Sequence, residues 1–191
     1  MHIGLFFGSF NPVHIGHLAL ANYMQSFTQM DEVWFVVSPH NPLKNKAGLL
    51  PQQERLNLVN MALDFNPKIK ASNIEFNLPQ PSYTINTLAH LKEKFPQHQF
   101  SLIMGQDNLQ TFDKWKNFEE ILKKHHIYIY PRIGCEPSKF DSHKQVHFTE
   151  APIINISSTF IRNSIKQKIN VQYFMHPAVW EYIDSMSFYK K

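Results

Sequence analysis

Apolar and polar positions follow two alternating periods along this chain. Ile3-Gly4-Leu5-Phe6-Phe7 is a short apolar run closed by Gly8 and predicts a buried strand, after which Ile15, Leu18, Ala19 and Tyr23 fall on one helical stripe. Glu32 to Val37 predicts a second strand, closed by a loop over Pro39 to Pro42. Pro51 then opens a helix in which Leu56, Val59, Asn60 and Leu63 recur at helical spacing. Ile69 to Leu78 reads as extended, and Ile85, Leu88, Leu91 and Phe95 mark a helix that Pro96 ends. Gln99 to Met104 and His126 to Tyr130 are two further strands with helical segments between them. Val179, Tyr182, Ile183 and Met186 form a last amphipathic helix. Near-continuous apolar strands separated by helices imply an α/β fold, a doubly wound Rossmann-like parallel sheet covered on both faces. Ligands of such sheets bind beyond the carboxyl ends of the strands, so the chemistry is expected in the segments that follow them. The irregular stretch from Pro131 to Gln145 is expected to be a mobile surface loop.

Composition narrows the class without changing this picture. At 191 residues one domain spanning 1–191 is expected, and 43% hydrophobic residues, with sixteen Phe and seven Tyr, exclude disorder as a main theme. No apolar run approaches the roughly twenty residues of a spanning helix, and the first residues lack the basic segment of a signal peptide. Cys135 is the only cysteine, which removes intramolecular disulfides and Cys-based zinc sites, so a soluble cytoplasmic protein is expected. The formal charge of +4 suits an anionic partner. The densest basic patch, Lys123-Lys124-His125-His126, reads as a solvated helix end, and no arginine-rich arm or RNA-binding aromatic signature is present. Neither nucleic acid nor membrane is an expected partner.

The most informative segment, Gly8-Ser9-Phe10-Asn11-Pro12-Val13-His14-Ile15-Gly16-His17, joins the first strand to the first helix. It is neither G-x-G-x-x-G nor a Walker loop. A strand-turn-helix with exposed backbone N–H groups still makes a phosphate cradle, and Gly8 is expected to let a ligand approach where a Cβ would collide. His14 and His17, three apart at the helix start, can turn both rings toward one anion, reinforced by the helix dipole. Phosphoryl transfer needs mostly positioning and charge neutralisation, so this pair suffices without a covalent nucleophile. Two histidines at this spacing can also be coincidental packing, or a metal pair, for which no nearby Cys or acid offers companion ligands.

This segment closely resembles the signature of the nucleotidyltransferase superfamily, Gly-x-Phe-Asp/Asn-Pro-x-His-x-Gly-His, with Asn11 where many members carry Asp. Four further segments, in family order, are similar to the nicotinate-mononucleotide adenylyltransferase branch. Pro39-His40-Asn41-Pro42-Leu43-Lys44 resembles the loop whose basic residue, here Lys44, faces phosphates. Pro81-Ser82-Tyr83-Thr84 with Thr87-Leu88 resembles a helix start that receives the nicotinate carboxylate. Gly105-Gln106-Asp107 with Trp115 resembles the segment whose acid lies near the nucleotide sugars and whose tryptophan stacks on the pyridine ring. Ile156-Ser157-Ser158-Thr159-Phe160-Ile161-Arg162 resembles the motif that grips ATP phosphates, in a C-terminal helical portion starting at about 157. Singly, each has a plainer reading as a cap, a solvated lysine or a packed ring.

The resemblance implies transfer of AMP from ATP to nicotinate mononucleotide, giving nicotinate adenine dinucleotide and pyrophosphate in NAD biosynthesis, by direct in-line attack. ATP is then expected on Gly8, Ser9, Phe10, His14, Gly16, His17, Gly105, Asp107, Ser157, Thr159 and Arg162. The mononucleotide is expected on Lys44, Ser82, Tyr83, Thr84 and Trp115. His17, His14 and Arg162 are the expected stabilisers of transition-state charge, with Lys44 assisting and Arg132 a further candidate. Mg²⁺ is expected to arrive on the ATP phosphates, with no metal site of the protein's own. The rivals are an adenylyltransferase of the same fold acting on phosphopantetheine or preferring the nicotinamide mononucleotide, and a nucleotide-binding regulatory module without chemistry.

Overall fold

The computed structural model describes residues 1–39, 48–63 and 66–190. Six strands, β1 (His2–Gly8), β2 (Glu32–Val37), β3 (Ile69–Ser72), β4 (Gln99–Gly105), β5 (Ile127–Tyr130) and β6 (Val146–Phe148), form one sheet in the order β3-β2-β1-β4-β5-β6. Every pairing is parallel. The chain winds outward from β1 in one direction and from β4 in the other, so β1 and β4 flank the topological switch point, where a crevice opens beyond their carboxyl ends.

Alternation along the strands feeds two cores. Phe6, Val33, Phe35, Val37 and Ile103 face one side, where α1 (Ile15–Phe27), α2 (Gln52–Leu63), α6 (Ser158–Lys166) and α7 (Pro177–Ser185) contribute Met24, Leu58, Ile161 and Ile183. Ile3, Leu5, Val36, Leu102 and Ile129 face the other, covered by Leu88 and Leu91 of α3 (Thr84–Lys94) and Ile121 of α5 (Phe118–Lys124). A short α4 (Gln106–Leu109) follows β4 directly. Among the described residues no helix is long and apolar enough to cross a membrane.

Several sequence expectations need adjustment. The buried face of α1 is Gly16, Leu20, Ala21 and Met24, while Ile15 is exposed: the helix is rotated from the stripe of Ile15, Leu18, Ala19 and Tyr23 because the small residues let it lie close on the sheet. The extended reading of Ile69 to Leu78 holds only to Ser72, after which the chain turns and buries Glu75. The three-residue edge strand β6 is too short to carry a periodic signal. The stretch 131–145 is pinned rather than loose. Phe140 is buried in the second core, Ser138 Oγ donates to the Leu109 carbonyl at 3.2 Å, and Lys139 pairs with Asp113 at 2.8 Å.

Candidate active site

The turn from β1 into α1 is shaped from inside. Phe10 has a left-handed backbone (φ 46°) and a buried ring packed 4.9 Å from Phe35, and a Cβ on Gly8 would lie 2.7 Å from that ring. Gly8 therefore makes room for Phe10, a packing requirement that the expected ligand approach did not include. What Phe10 can offer a nucleotide is its main chain.

His14 caps α1 and stacks on His17, ring centroids 3.7 Å apart at 29°. The His14 backbone N–H donates to His17 Nδ1 at 3.3 Å, which leaves the proton of neutral His17 on Nε2, a donor at the opposite edge of the ring. His14 itself is only 4% exposed. Burial, aided by the positive charge of Arg132, lowers its pKa to about 4, so it is a neutral imidazole at neutral pH. Its Nδ1 is buried without a hydrogen-bond partner. A Cβ on Gly16 would press on the His14 ring at 3.1 Å, so this glycine sets the ring's position.

Two arginines brace this turn through backbone carbonyls. Arg55, on the buried face of α2 and fully enclosed, donates from Nη1 to Ser9 O at 2.7 Å and Ser38 O at 2.8 Å, from Nη2 to Pro39 O at 2.8 Å and from Nε to Leu50 O at 3.0 Å. Burial lowers its pKa to about 10, which leaves it charged at neutral pH. It therefore ties the loop after β1 to the loop after β2. Sequence reading missed it, although Leu58, Val59 and Ala62 at helical spacing from position 55 put it on an apolar stripe.

Arg162, one turn into α6, donates from Nη1 to Asn11 O at 2.7 Å and from Nη2 to Thr159 Oγ1 at 3.2 Å, while Ser158 Oγ donates to Pro12 O at 2.9 Å. The α6 N-terminus thus sits on the β1–α1 turn. Ser157 is its N-cap, accepting the Phe160 N–H at 3.1 Å.

At the end of β4, beside β1, a Cβ on Gly105 would collide with Asp107 Oδ1. That carboxylate lies 3.8 Å from Arg132 Nε, and the Arg132 guanidinium rides 5.0 Å over the Tyr130 ring at the end of β5. Arg132 is also close enough to His14 for its charge to bear on that ring.

The other predicted segments meet further out. Tyr83 caps α3, and the half-buried Thr84 begins it, where the first backbone N–H groups have no intrahelical partner. Buried Glu75, also missed in the sequence, accepts from Thr87 Oγ1 at 2.7 Å and Ser82 Oγ at 3.2 Å, fastening the Ser82-Tyr83-Thr84 turn to the helix it opens. Lys116 Nζ sits 4.5 Å over the Tyr83 ring. That contact brings this turn to Trp115, which is half-buried against Phe112 at 5.4 Å. Lys44 lies outside the described residues. Among those described, no three His, Cys, Asp or Glu side chains gather as a metal cage. The arrangement is a crevice of N–H donors and guanidinium groups at one end and a helix start beside an indole at the other. It suits a polyphosphate next to a flat anionic ring.

Comparison with known proteins agrees with that chemistry. The cytidylyltransferase-like family model matches residues 5–164. The chain is 58% identical to a probable nicotinate-nucleotide adenylyltransferase of Flavobacterium johnsoniae and 56% identical to one of Flavobacterium psychrophilum, in both cases over 100% of each chain. A Plasmodium falciparum nicotinic acid mononucleotide adenylyltransferase complexed with NaAD has the same fold, with a TM-score of 0.84 at 19% identity over 99% of this chain and 97% of that one. Matched along most of its length by the family model and end to end by these relatives, the chain belongs to the nicotinate-nucleotide adenylyltransferase family of nucleotidyltransferases.

Proposed function

We propose that this enzyme transfers AMP from MgATP to nicotinate mononucleotide, giving nicotinate adenine dinucleotide and pyrophosphate in NAD biosynthesis, with residues 1–191 working as one cytoplasmic domain. The observation that carries the reading is the stacked His14–His17 pair at the α1 start, facing a crevice whose turn is braced by Arg55 and Arg162. A 5′-phosphate oxygen of the mononucleotide attacks the α-phosphorus, the bond to the bridging oxygen breaks, and the charge leaves on pyrophosphate.

The chain's part is to hold donors where that charge develops. His17 donates from Nε2. His14, kept neutral, holds the His17 ring by stacking and can offer a hydrogen bond without adding charge. Arg162, with the Ser157 and Thr159 hydroxyls, grips the ATP phosphates, and Arg132 adds positive potential. The main chain at Gly8, Ser9, Phe10 and Gly16 lines the nucleotide, and Asp107 beside Gly105 accepts from its sugar hydroxyls. Lys44 completes the phosphate contacts. Mg²⁺ enters as part of the substrate, since the donors here suit phosphate oxygens and the carboxylate at the edge, Asp107, already faces Arg132. At the far end Thr84 and the α3 start receive the nicotinate carboxylate, supported by Ser82 and Tyr83, while Trp115 stacks on the ring.

The test presents MgATP with nicotinate mononucleotide, nicotinamide mononucleotide or phosphopantetheine and measures pyrophosphate and the dinucleotide formed. Turnover should be fastest with the nicotinate compound. Preference for either other acceptor contradicts the substrate assignment, and no turnover with any of them contradicts the enzyme reading.

A further inference from the structure

The segment after α7 returns to the phosphate end of the crevice. Tyr189, held in the left-handed region (φ 63°) and half-buried near Arg55 and Arg162, donates its hydroxyl to Asn11 Oδ1 at 2.7 Å. The same oxygen accepts the Leu50 N–H at 3.2 Å, while Asn11 Nδ2 donates to Gly48 O at 2.9 Å. The Asn11 main-chain carbonyl is the one that anchors Arg162. One amide therefore joins the β1–α1 turn, the residues leading into α2 and the end of the chain, with both acceptor directions of Oδ1 and one Nδ2 donor engaged by complementary partners. A carboxylate at position 11 would set an oxygen against the Gly48 carbonyl, so the amide is what this surrounding selects.

We propose that Tyr189 is a positioning residue for adenylyl transfer, acting through Asn11 to fix the turn on which Arg162 and the histidine pair are aligned. The inference rests on the adenylyltransferase reading of the same crevice. The Tyr189 hydroxyl is committed to Asn11 Oδ1, so it acts through that amide. Without its hydroxyl, Asn11 Oδ1 keeps only the longer bond from Leu50, and the amide is held less firmly. The carbonyl holding Arg162 then loses its fixed direction. Because the turn serves the phosphates and not the pyridine ring, the loss falls on the ATP side of the reaction.

The test is a double-mutant cycle of Tyr189→Phe and Asn11→Ala in the full chain, with kcat and both KM values corrected for the folded fraction. Tyr189→Phe should lower kcat/KM for ATP about tenfold while the KM for nicotinate mononucleotide stays within about twofold, and it should add less than about twofold in the Asn11→Ala background. Additive losses, unchanged ATP kinetics, or a loss that only tracks the folded fraction would overturn the proposal. If Asn11→Ala does not fold, the split between the two substrates in Tyr189→Phe decides alone. An inactive wild-type chain would instead refute the adenylyltransferase reading.

Discussion

The two ends of the crevice are held in different ways. At the proposed phosphate end, Arg55 and Arg162 direct their charge to backbone carbonyls of Ser9, Ser38, Pro39, Leu50 and Asn11, and the β1–α1 turn is a main-chain frame clamped by one buried and one half-buried guanidinium. At the pyridine end, the Ser82-Tyr83-Thr84 turn is tied by hydroxyls to Glu75, and its link to the Trp115 segment is the contact of the exposed Lys116 with Tyr83. The difference follows from what each end must do. Charge that develops on a phosphorane is stabilised best by donors that need no reorganisation, so rigidity there lowers the barrier. In the proposed reading the pyridine end discriminates and releases ligands, which a half-buried turn near an indole can do.

If this contrast is right, substitutions at the phosphate end should act on kcat and those at the pyridine end on selectivity. The largest effect is expected for His17→Ala, which should lower kcat on the order of 10²-fold or more with a smaller change in ATP affinity, as steady-state kinetics and ATP titration would show. A kcat within a few-fold of wild type removes His17 from the chemistry. Next comes Arg162, which binds the Asn11 carbonyl through one arm of its fork. Arg162→Ala should cost roughly 10- to 100-fold in kcat/KM for ATP, and Arg162→Lys should recover little, because an ammonium cannot hold the carbonyl and a phosphate in the same geometry. Full recovery by lysine would mean that charge alone matters there.

Selectivity should respond at the other end by a smaller factor. The wild-type preference for the nicotinate over the nicotinamide mononucleotide should be about tenfold or more in kcat/KM, and Thr84→Val should shrink that ratio. Trp115→Ala should weaken both acceptors alike, since stacking does not read the carboxylate. If Trp115→Ala changes the ratio and Thr84→Val does not, the two roles are exchanged.

The smallest effect concerns pH. The folded pKa of His14, about 4, lies below its unfolded value of 6.5, so the unfolded chain binds more protons between these values. Its contribution to stability is present above pH 6.5 and is lost as pH falls toward 4. From pH 7 to 5.5 the loss should be about 1 kcal/mol, read from urea unfolding, and His14→Gln should flatten that part of the profile.

How much of this was legible in the sequence differs between the same two ends. The doubly wound parallel class was readable because parallel strands buried on both faces leave continuous apolar runs, while the strand order was not; the 8–17 and 157–162 segments meet through Ser158 and Arg162, and the 82–84 turn meets the Trp115 segment through Lys116. The groups that hold those segments were not readable. Arg55, Glu75 and Tyr189 are polar residues whose partners are 46 positions away for Ser9, 12 for Thr87 and 178 for Asn11, and no local pattern reports a partner at such distances. Gly8 shows the same limit. Its need was visible, but the cause, the Phe10 ring folded beneath it, is a packing fact.

In the proposed mechanism the phosphate end supplies positioned donors and no nucleophile, so AMP passes directly from ATP to the acceptor. The stereochemical course at the α-phosphorus tests this most directly. With ATP made chiral by sulfur at the α-position and nicotinate mononucleotide as acceptor, a single in-line displacement should give a dinucleotide of inverted configuration. Retention, the mark of two displacements through an enzyme-bound adenylyl group, would contradict it.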